Sequence, residues 1–419
     1  MDGLRISPTT RPPQGIEAAH ARPVPASTVY LLEALASVGT NLLISGIYFY
    51  MTSRYGWGLL QNFLLAAVQG AVYVVGALSA HAIRARLGTR RSLWLMYGVL
   101  GALSLFCLAV HSAAAVTAIL LAYTALSVVT WPILEGLISH GLDSHTMSRR
   151  ISHYNLVWAG VGAAALAVDG AVIQHWPQGV FLIPAIVHIA GMALVPLLMP
   201  GEINAEPTPA AAAAPQAAAE LLNVRTLALW LSRVALPATY VVIYGLMSLM
   251  PSLPALHSLD TTAQTVMGSI WMVGRWATFL LLGLGTWWHA RPRVLLIAAI
   301  AMLVAFLGVT IRPSDLFGHG SQSIDLISLG SWQLLLGASL GIIYAGSLYF
   351  GMVLSHGSTE HGGYHEALIG LGMVLGPGAG AAAQAIHPGS TTGILAVGAV
   401  IASSVAAATV TSIVGSKRH

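Results

Sequence analysis

The sequence predicts an all-α polytopic membrane protein with twelve transmembrane helices arranged in two six-helix halves. Hydrophobic residues make up 56% of its 419 residues and charged residues only 8%, whereas a soluble chain carries about 25% charged residues. Twelve stretches are apolar enough to cross a bilayer, which takes about 20 residues in a helix. A segment rich in proline and alanine divides these stretches six and six.

The predicted spans are separated by short connections, apart from one long connection in the middle of the chain. They cover residues 28–50, 58–82, 92–111, 113–139, 152–174, 179–199, 227–250, 264–287, 294–311, 327–353, 363–386 and 391–414. The segment 200–226 has the composition of a flexible linker. The predicted domains are a disordered tail (1–27), an N-terminal bundle (28–199), this linker, a C-terminal bundle (227–414) and a short tail (415–419).

The basic residues predict which side of the membrane holds the two termini. An even number of spans places both termini on one side, and short cytoplasmic loops retain Lys and Arg. The loops on the side of the termini carry most of the arginines, whereas the loops on the other side carry only Arg54 and Arg312. Both termini are therefore expected in the cytoplasm of a bacterial inner-membrane protein. The single cysteine, Cys107, excludes an intrachain disulfide.

The loop after the second span resembles a motif of the major facilitator superfamily, G-x-x-x-D-R-x-G-R-R. In "GALSAHAIRARLGTRRSLWL" the matching residues are Arg86, Gly88, Arg90 and Arg91, whereas Ala85 stands where the family has aspartate. The second-half loop "GLGTWWHARPRVLL" is more degenerate. This loop, together with "TWPILEG", "YNLVWAG" and "YHEALIGLG", is similar to an uncharacterised bacterial subgroup of the superfamily.

The resemblance implies two halves that alternate access to a central site, with Arg86, Gly88, Arg90 and Arg91 acting as a cytoplasmic gating loop. It also implies that spans 3, 6, 9 and 12 lie at the periphery. Six formal charges fall within the predicted spans, and none of them falls on these four spans. The charged residues are Glu33, Glu135, Asp169, Arg233, Arg275 and Glu366.

Charged groups inside a bilayer cost free energy, so they usually face the protein interior or water. Glu33, Ser37 and Asn41 recur every four residues and form one polar stripe, which is expected to face the cavity. Gln69 adds a neutral polar group on span 2. Arg275 lies midway along span 8, and a carboxylate is its expected partner.

A second interpretation applies to the charges near helix ends. There the helix dipole and nearby water stabilise charged groups without a functional role. This interpretation applies to Glu33, Glu135, Arg233 and Glu366.

Buried carboxyl groups and the adjacent His365 and Glu366 are candidates for carrying a coupling proton. The segment "SHGSTEHGGYHE" also brings histidines together. It lacks a complete H-E-x-x-H motif, because Ile369 occupies the last position. No metal site and no cofactor are therefore predicted.

Glycines around Pro377 on span 11 predict close helix packing and a pivot. Gly376, Pro377 and Gly380 are similar to the G-P-x-x-G signature that antiporters of the superfamily carry on span 5. This similarity favours export over uptake.

The sequence therefore predicts a secondary active transporter for a small solute, coupled to protons and working as a monomer in the lipid bilayer. The alternative from another class is a transporter-like protein that acts as a receptor or assembly partner. No nucleophile–base spacing predicts an enzyme, and nucleic acid is not an expected partner.

Overall fold

A computed structural model describes residues 25–139, 142–198, 215–289, 291–317 and 321–416. Nearly all of the predicted N-terminal tail, much of the linker and residues 417–419 lie outside this part of the chain. The described residues form helices, and the following eight belong to the N-terminal half: α1 Ala26–Thr40, α2 Ile47–Tyr55, α3 Leu59–Leu87, α4 Thr89–Ala109, α5 Ala113–Ser127, α6 Thr130–Ser139, α7 Ser144–His175 and α8 Gly179–Leu194.

The C-terminal half follows the same plan. Its helices are α9 Pro215–Leu249, α10 Thr261–Gly283, α11 Arg293–Thr310, α12 Pro313–Phe317, α13 Gln322–Leu354, α14 Thr359–Ile386 and α15 Ser390–Ser416. Twelve helical segments in the described chain are long and apolar enough to span a membrane. The predicted all-α polytopic class is therefore confirmed.

Two predicted boundaries are wrong. Helix α9 begins at Pro215, within the predicted linker 200–226, because the alanines of this segment are strong helix formers and proline suits a first helical turn. The predicted loop at 83–91 is a sharp corner between α3 and α4, which meet at Gly88. Gly88 has φ 76°, a conformation that glycine adopts without steric cost.

The first span is interrupted in its second half. After α1 the chain forms a π-helical turn, Asn41–Ser45, and then passes through Gly46 into α2. A π-helical turn widens the backbone and is often found at functional sites. Asn41 lies at the start of this turn.

Two long helix pairs join the halves. Helix α3 packs along α14, and α7 packs along α10. Glycines permit the close approach, since a Cβ at Gly70 would lie 2.6 Å from the backbone nitrogen of Val374. Helices α4, α8, α11 and α15 pack mainly within their own halves, as the resemblance implied for spans 3, 6, 9 and 12.

Contacts between the halves close the molecule at both faces. We call the face that carries the described chain ends, Pro25 and Ser416, the terminal face. There the Ser148 hydroxyl lies 3.2 Å from Nε2 of His289. At the opposite face the Gly170 amide donates to Thr265 Oγ1 at 3.0 Å.

His289 is a titratable group within the terminal closure. Its ring stacks on Tyr349 at 4.0 Å between centroids, and Tyr349 OH lies 3.1 Å from its Nδ1. Burial, followed by the charges of Arg225 and His145, lowers the pKa of His289 from 6.5 to about 4. The closed arrangement therefore favours the neutral ring, and this stabilisation is complete above pH 6.5 and is lost as the pH falls towards 4.

We expect acidification from pH 7.5 to 5 to open this closure more often. The measurement is the maleimide labelling rate of Ser152→Cys in a Cys107→Ser background, relative to the exposed His111→Cys at each pH. The relative rate should rise several-fold, and His289→Gln should remove the rise. An equal rise in His289→Gln would contradict the assignment to His289.

Candidate functional site

A cavity with about 100 Å³ of free space lies between the halves, between the contacts that join them at the two faces. All eight spans expected around a central site contribute to its wall, and the four peripheral spans do not. The lining side chains on which the following argument depends are Glu33, Asn41, Tyr73, Trp131, Tyr154, Trp158, Tyr240, Trp271, Arg275, Tyr344 and Glu366.

Arg275 is the cation of this cavity. The side chain is 2% exposed, and Nη2 donates to the Tyr240 hydroxyl at 3.3 Å. Its guanidinium carbon lies 4.5 Å from the ring centre of Trp158 and 4.6 Å from that of Tyr344. Three further rings, those of Tyr240, Trp271 and Phe279, lie within 6.0 Å.

The expected ion pair between Arg275 and a carboxylate is not formed in this structure. Across the described ranges the only ion pair is between Arg312 and Asp315, at 2.6 Å. The aromatic rings stabilise the guanidinium through their negative faces, and Nε of Arg275 has no hydrogen-bond partner among the described residues. The cation is thus available to an anion in the cavity.

Close helix packing fixes the position of Arg275. A Cβ on Gly337 of α13 would lie 2.8 Å from the backbone nitrogen of Arg275 and would overlap the carbonyl oxygen of Trp271. Helix α13 therefore lies directly on the backbone of α10 at this point. The ring of Trp158 reaches the guanidinium from the other half, so Arg275 connects the two halves.

Glu33 faces the same cavity from α1. Its carboxylate accepts hydrogen bonds from Ser37 at 2.9 Å and from Tyr154 at 2.8 Å. Asn41 continues the stripe along the wall and donates to the Ser37 carbonyl at 2.9 Å. The polar stripe of span 1 therefore faces the cavity, as its four-residue spacing predicted.

A second cluster contains Glu135, His365 and Glu366. Each offers an oxygen or nitrogen atom within 4.8 Å of the others, and all three are buried. Tyr73 donates a hydrogen bond to Glu366, and Ser347 lies 2.9 Å from Nδ1 of His365. Nε2 of His365 lacks a hydrogen-bond partner in the described chain. The carboxyl groups of Glu135 and Glu366 lie close enough to form a hydrogen bond when one of them is protonated.

The cluster lies at the boundary between the halves. Glu135 comes from α6, whereas His365 and Glu366 come from the early turns of α14. A Cβ on Gly362 would lie 3.0 Å from Glu135 Oε2 and from Pro132 Cα, so the two helices are in direct contact here. Glu366 also lines the cavity, which connects the cluster to the central site.

Five predicted pathway residues lie off the cavity wall: Glu135 and His365 in the cluster described above, and three others outside both sites. Gln69 is buried and accepts a hydrogen bond from Tyr48 at 2.7 Å within its own half. Arg233 is partly buried near the terminal face. Asp169 is buried against the break in the first span, where a Cβ on Gly46 would overlap its carboxylate. Neither oxygen of Asp169 has a hydrogen-bond partner in the described ranges.

The gating-loop residues occupy the corner between α3 and α4. Arg86 and Arg91 are exposed, and Arg90 donates to the Pro196 carbonyl at 2.5 Å. On α14 the predicted pivot residues are packing positions. A Cβ on Gly376 would lie 2.8 Å from Val241 Cα, and one on Gly380 would lie 2.7 Å from the ring of Phe63. The helix continues through Pro377.

The sequence-based prediction missed the aromatic wall. The family-like motifs "TWPILEG" and "YNLVWAG" contain Trp131, Tyr154 and Trp158. No role was predicted for these three side chains. Their spacing alone does not reveal their position, because aromatic residues on apolar helices commonly pack in the core. The available signal was that they lie on the same spans as Glu135 and Asp169.

The fold is that of solved major facilitator superfamily transporters. The nucleoside transporter NupG is similar over 91% of this chain and 98% of its own, with a TM-score of 0.65 and 12% identity. A mutant of NupG gives the same score at 13% identity, over 91% of this chain and 99% of its own.

A bacterial homologue of the human lysosomal transporter Spinster, in an inward-facing and unoccupied conformation, also has this fold. It covers 93% of this chain and 94% of its own, with a TM-score of 0.60 and 15% identity. These proteins are transporters and not enzymes. No protein-family model matches the sequence, and no curated protein matches it.

Proposed function

We propose that this protein is a secondary active transporter that moves a small solute by alternating access and couples the movement to protons. The transporter fold, the closed cavity between two halves and the buried carboxyl cluster support this proposal. The non-transporting alternative gives no reason for a cavity between the halves that is lined by charged side chains.

The observation that carries proton coupling is the cluster of Glu135, His365 and Glu366. Unpaired carboxylates are costly in a dry interior, so two neighbouring carboxyl groups are stable there when they share a proton. Separation of the halves at α6 and α14 exposes Glu135 to water, where the proton is released. The same movement that opens the cavity therefore changes the proton affinity of the cluster.

Two observations bear on the direction of transport. An anion bound at Arg275 lies near Glu33 and Glu366, and it binds best when these groups are neutral. Proton and solute then move together, which favours uptake. The glycine and proline pattern around Pro377 favours export by exchange, and this is the second candidate.

We further propose that the terminal face is cytoplasmic and that the protein works as a monomer in the bacterial inner membrane. The arginines of the corner at Gly88 lie on that face, in agreement with the positive-inside rule. Every wall of the cavity comes from one chain, so a single copy surrounded by lipid contains a complete site.

The test is proton flux in liposomes that contain the purified protein and an internal pH dye. Sugars, organic acids, amino acids and nucleosides are added in turn to the outside. We expect one solute class to acidify the interior if proton and solute move together, or to alkalinise it if they exchange. Folded protein that gives no flux with any class, and no solute exchange, would contradict the transporter proposal.

A further inference from the structure

We propose that the cavity selects organic monocarboxylates with a planar ring, and that Arg275 binds their carboxylate. This inference names the substrate class of the transporter proposed above and therefore rests on that proposal. It goes beyond it because the fold of the solved transporters specifies no substrate for this chain. Three features of the cavity carry the argument.

The first feature is the uncompensated charge of Arg275. A buried cation is stable when it has a counter-charge, yet no carboxylate oxygen of a described residue lies within 4.0 Å of its nitrogens. The aromatic rings around Arg275 stabilise its positive charge only in part. Nε, which has no partner among these residues, and the Nη atoms form a fork that matches a carboxylate.

The second feature limits the charge of the ligand. Arg275 is the one Lys or Arg among the described lining residues, whereas Glu33 and Glu366 line the same cavity. A monoanion is balanced by this single cation. A phosphate monoester has a charge between −1 and −2 at neutral pH and would place uncompensated charge next to the two glutamates.

The third feature is the shape and chemistry of the remaining wall. Rings from both halves line it, among them Tyr73, Trp131, Trp158 and Tyr344. Tyr73 and Trp131 stack on each other with an interplanar angle of 27°, so these two lining rings form one continuous aromatic surface. Planar rings of a ligand pack favourably against such surfaces.

The arrangement also explains how binding could draw the two halves together. Trp158 belongs to the N-terminal half, and Arg275 to the C-terminal half. A carboxylate on the guanidinium and a ring against Trp158 make contacts with both halves at once. Such a ligand stabilises the closed cavity relative to either open form.

The experiment measures equilibrium binding of radiolabelled benzoate to the purified protein by dialysis at pH 7.5, without any gradient. Unlabelled benzoate, benzamide and phenyl phosphate serve as competitors. We expect benzoate to compete at least about tenfold better than benzamide, which has the same shape but no charge. Phenyl phosphate should compete less well than benzoate.

Variants test the role of Arg275. Arg275→Gln should weaken benzoate binding at least about tenfold. Arg275→Lys should give an intermediate loss, because lysine retains the charge but lacks the planar group. Arg312→Gln removes an equal charge from the protein surface and should leave binding unchanged.

The outcomes separate this inference from the transporter proposal. The proposed substrate class would be overturned if benzamide competed as well as benzoate or if phenyl phosphate competed better than benzoate. Benzoate binding by Arg275→Gln as tight as by the wild type would also overturn it. These comparisons with wild-type protein remain valid if a variant does not fold. Tight benzoate binding without proton flux or exchange would support the proposed substrate class and contradict the transporter proposal. Proton flux driven only by neutral solutes would support the transporter proposal and contradict the substrate class.

Discussion

Glu135→Gln is expected to abolish proton-driven accumulation of the solute while the protein still folds and still exchanges solute across the membrane. Glutamine has the volume of the protonated glutamate but cannot release a proton. Glu135 lies in the cluster with His365 and Glu366, where its protonated carboxyl group can donate to the Glu366 carboxylate. The amide therefore mimics the protonated state, because its N–H group can donate to Glu366 in place of the carboxyl proton.

The measurement uses two assays on the same liposomes. Net uptake is driven by a pH gradient, whereas exchange is measured with equal solute concentrations on both sides and no gradient. Net uptake by Glu135→Gln should fall to the rate of protein-free liposomes, and exchange should persist because it moves no net proton. Glu360→Gln, which changes an exposed carboxylate at the start of α14, is the matched control.

Either of two results would contradict this role. Wild-type accumulation by Glu135→Gln would show that the coupling proton resides elsewhere, and Asp169 is the next buried carboxyl group to test. Loss of both accumulation and exchange in folded protein would show that Glu135 is needed for the conformational change itself.

Much of the fold follows from sequence because a bilayer imposes one simple requirement. Every backbone group in the apolar interior must be hydrogen-bonded within a helix, so long apolar stretches identify the spans. Helix ends are less certain, because charged and small residues extend a helix into water. The arginines near Gly88 lie in α3 and α4, and Ala217, Ala218 and Ala219 of the predicted linker lie in α9.

The candidate site was predictable only in part. Glu33, Arg275 and Glu366 could be identified because a charge inside a span is unusual whatever its surroundings. Their partners could not be identified, since these depend on how the two halves pack. Arg275 was expected to pair with a carboxylate and lies instead among aromatic rings from four different helices, because α10 faces α7, α9 and α13 at this depth.

Gly70→Val is expected to keep the two halves apart and to stop transport without unfolding either half. A Cβ at Gly70 would lie 2.6 Å from Met373 Cβ, 2.6 Å from the Val374 nitrogen and 2.7 Å from the Met373 carbonyl carbon. Two of these atoms belong to the backbone of α14, so no side-chain rotation relieves the overlap. Because α3 and α14 belong to different halves, the strain falls on the contact between the halves.

Two measurements on Gly70→Val test this expectation. Labelling of Ser37→Cys in the cavity, in a Cys107→Ser background, should become at least several-fold faster because the closed state is lost. Solute exchange should fall to background. Gly70→Ala adds only the overlapping Cβ. It should raise the labelling rate and lower the exchange rate in the same way, and it should fold better than Gly70→Val.

The matched control is Gly378→Val on the partner helix α14, where a Cβ meets no atom within 4 Å. It should retain transport, because the added side chain points into open space. Rapid exchange and slow labelling in Gly70→Val would contradict this expectation. They would mean that the transport cycle does not require α3 and α14 to return to their close contact at Gly70. The close approach at Gly70 would then be a feature of one resting state, and closure of the cavity would depend on the contacts at the two faces.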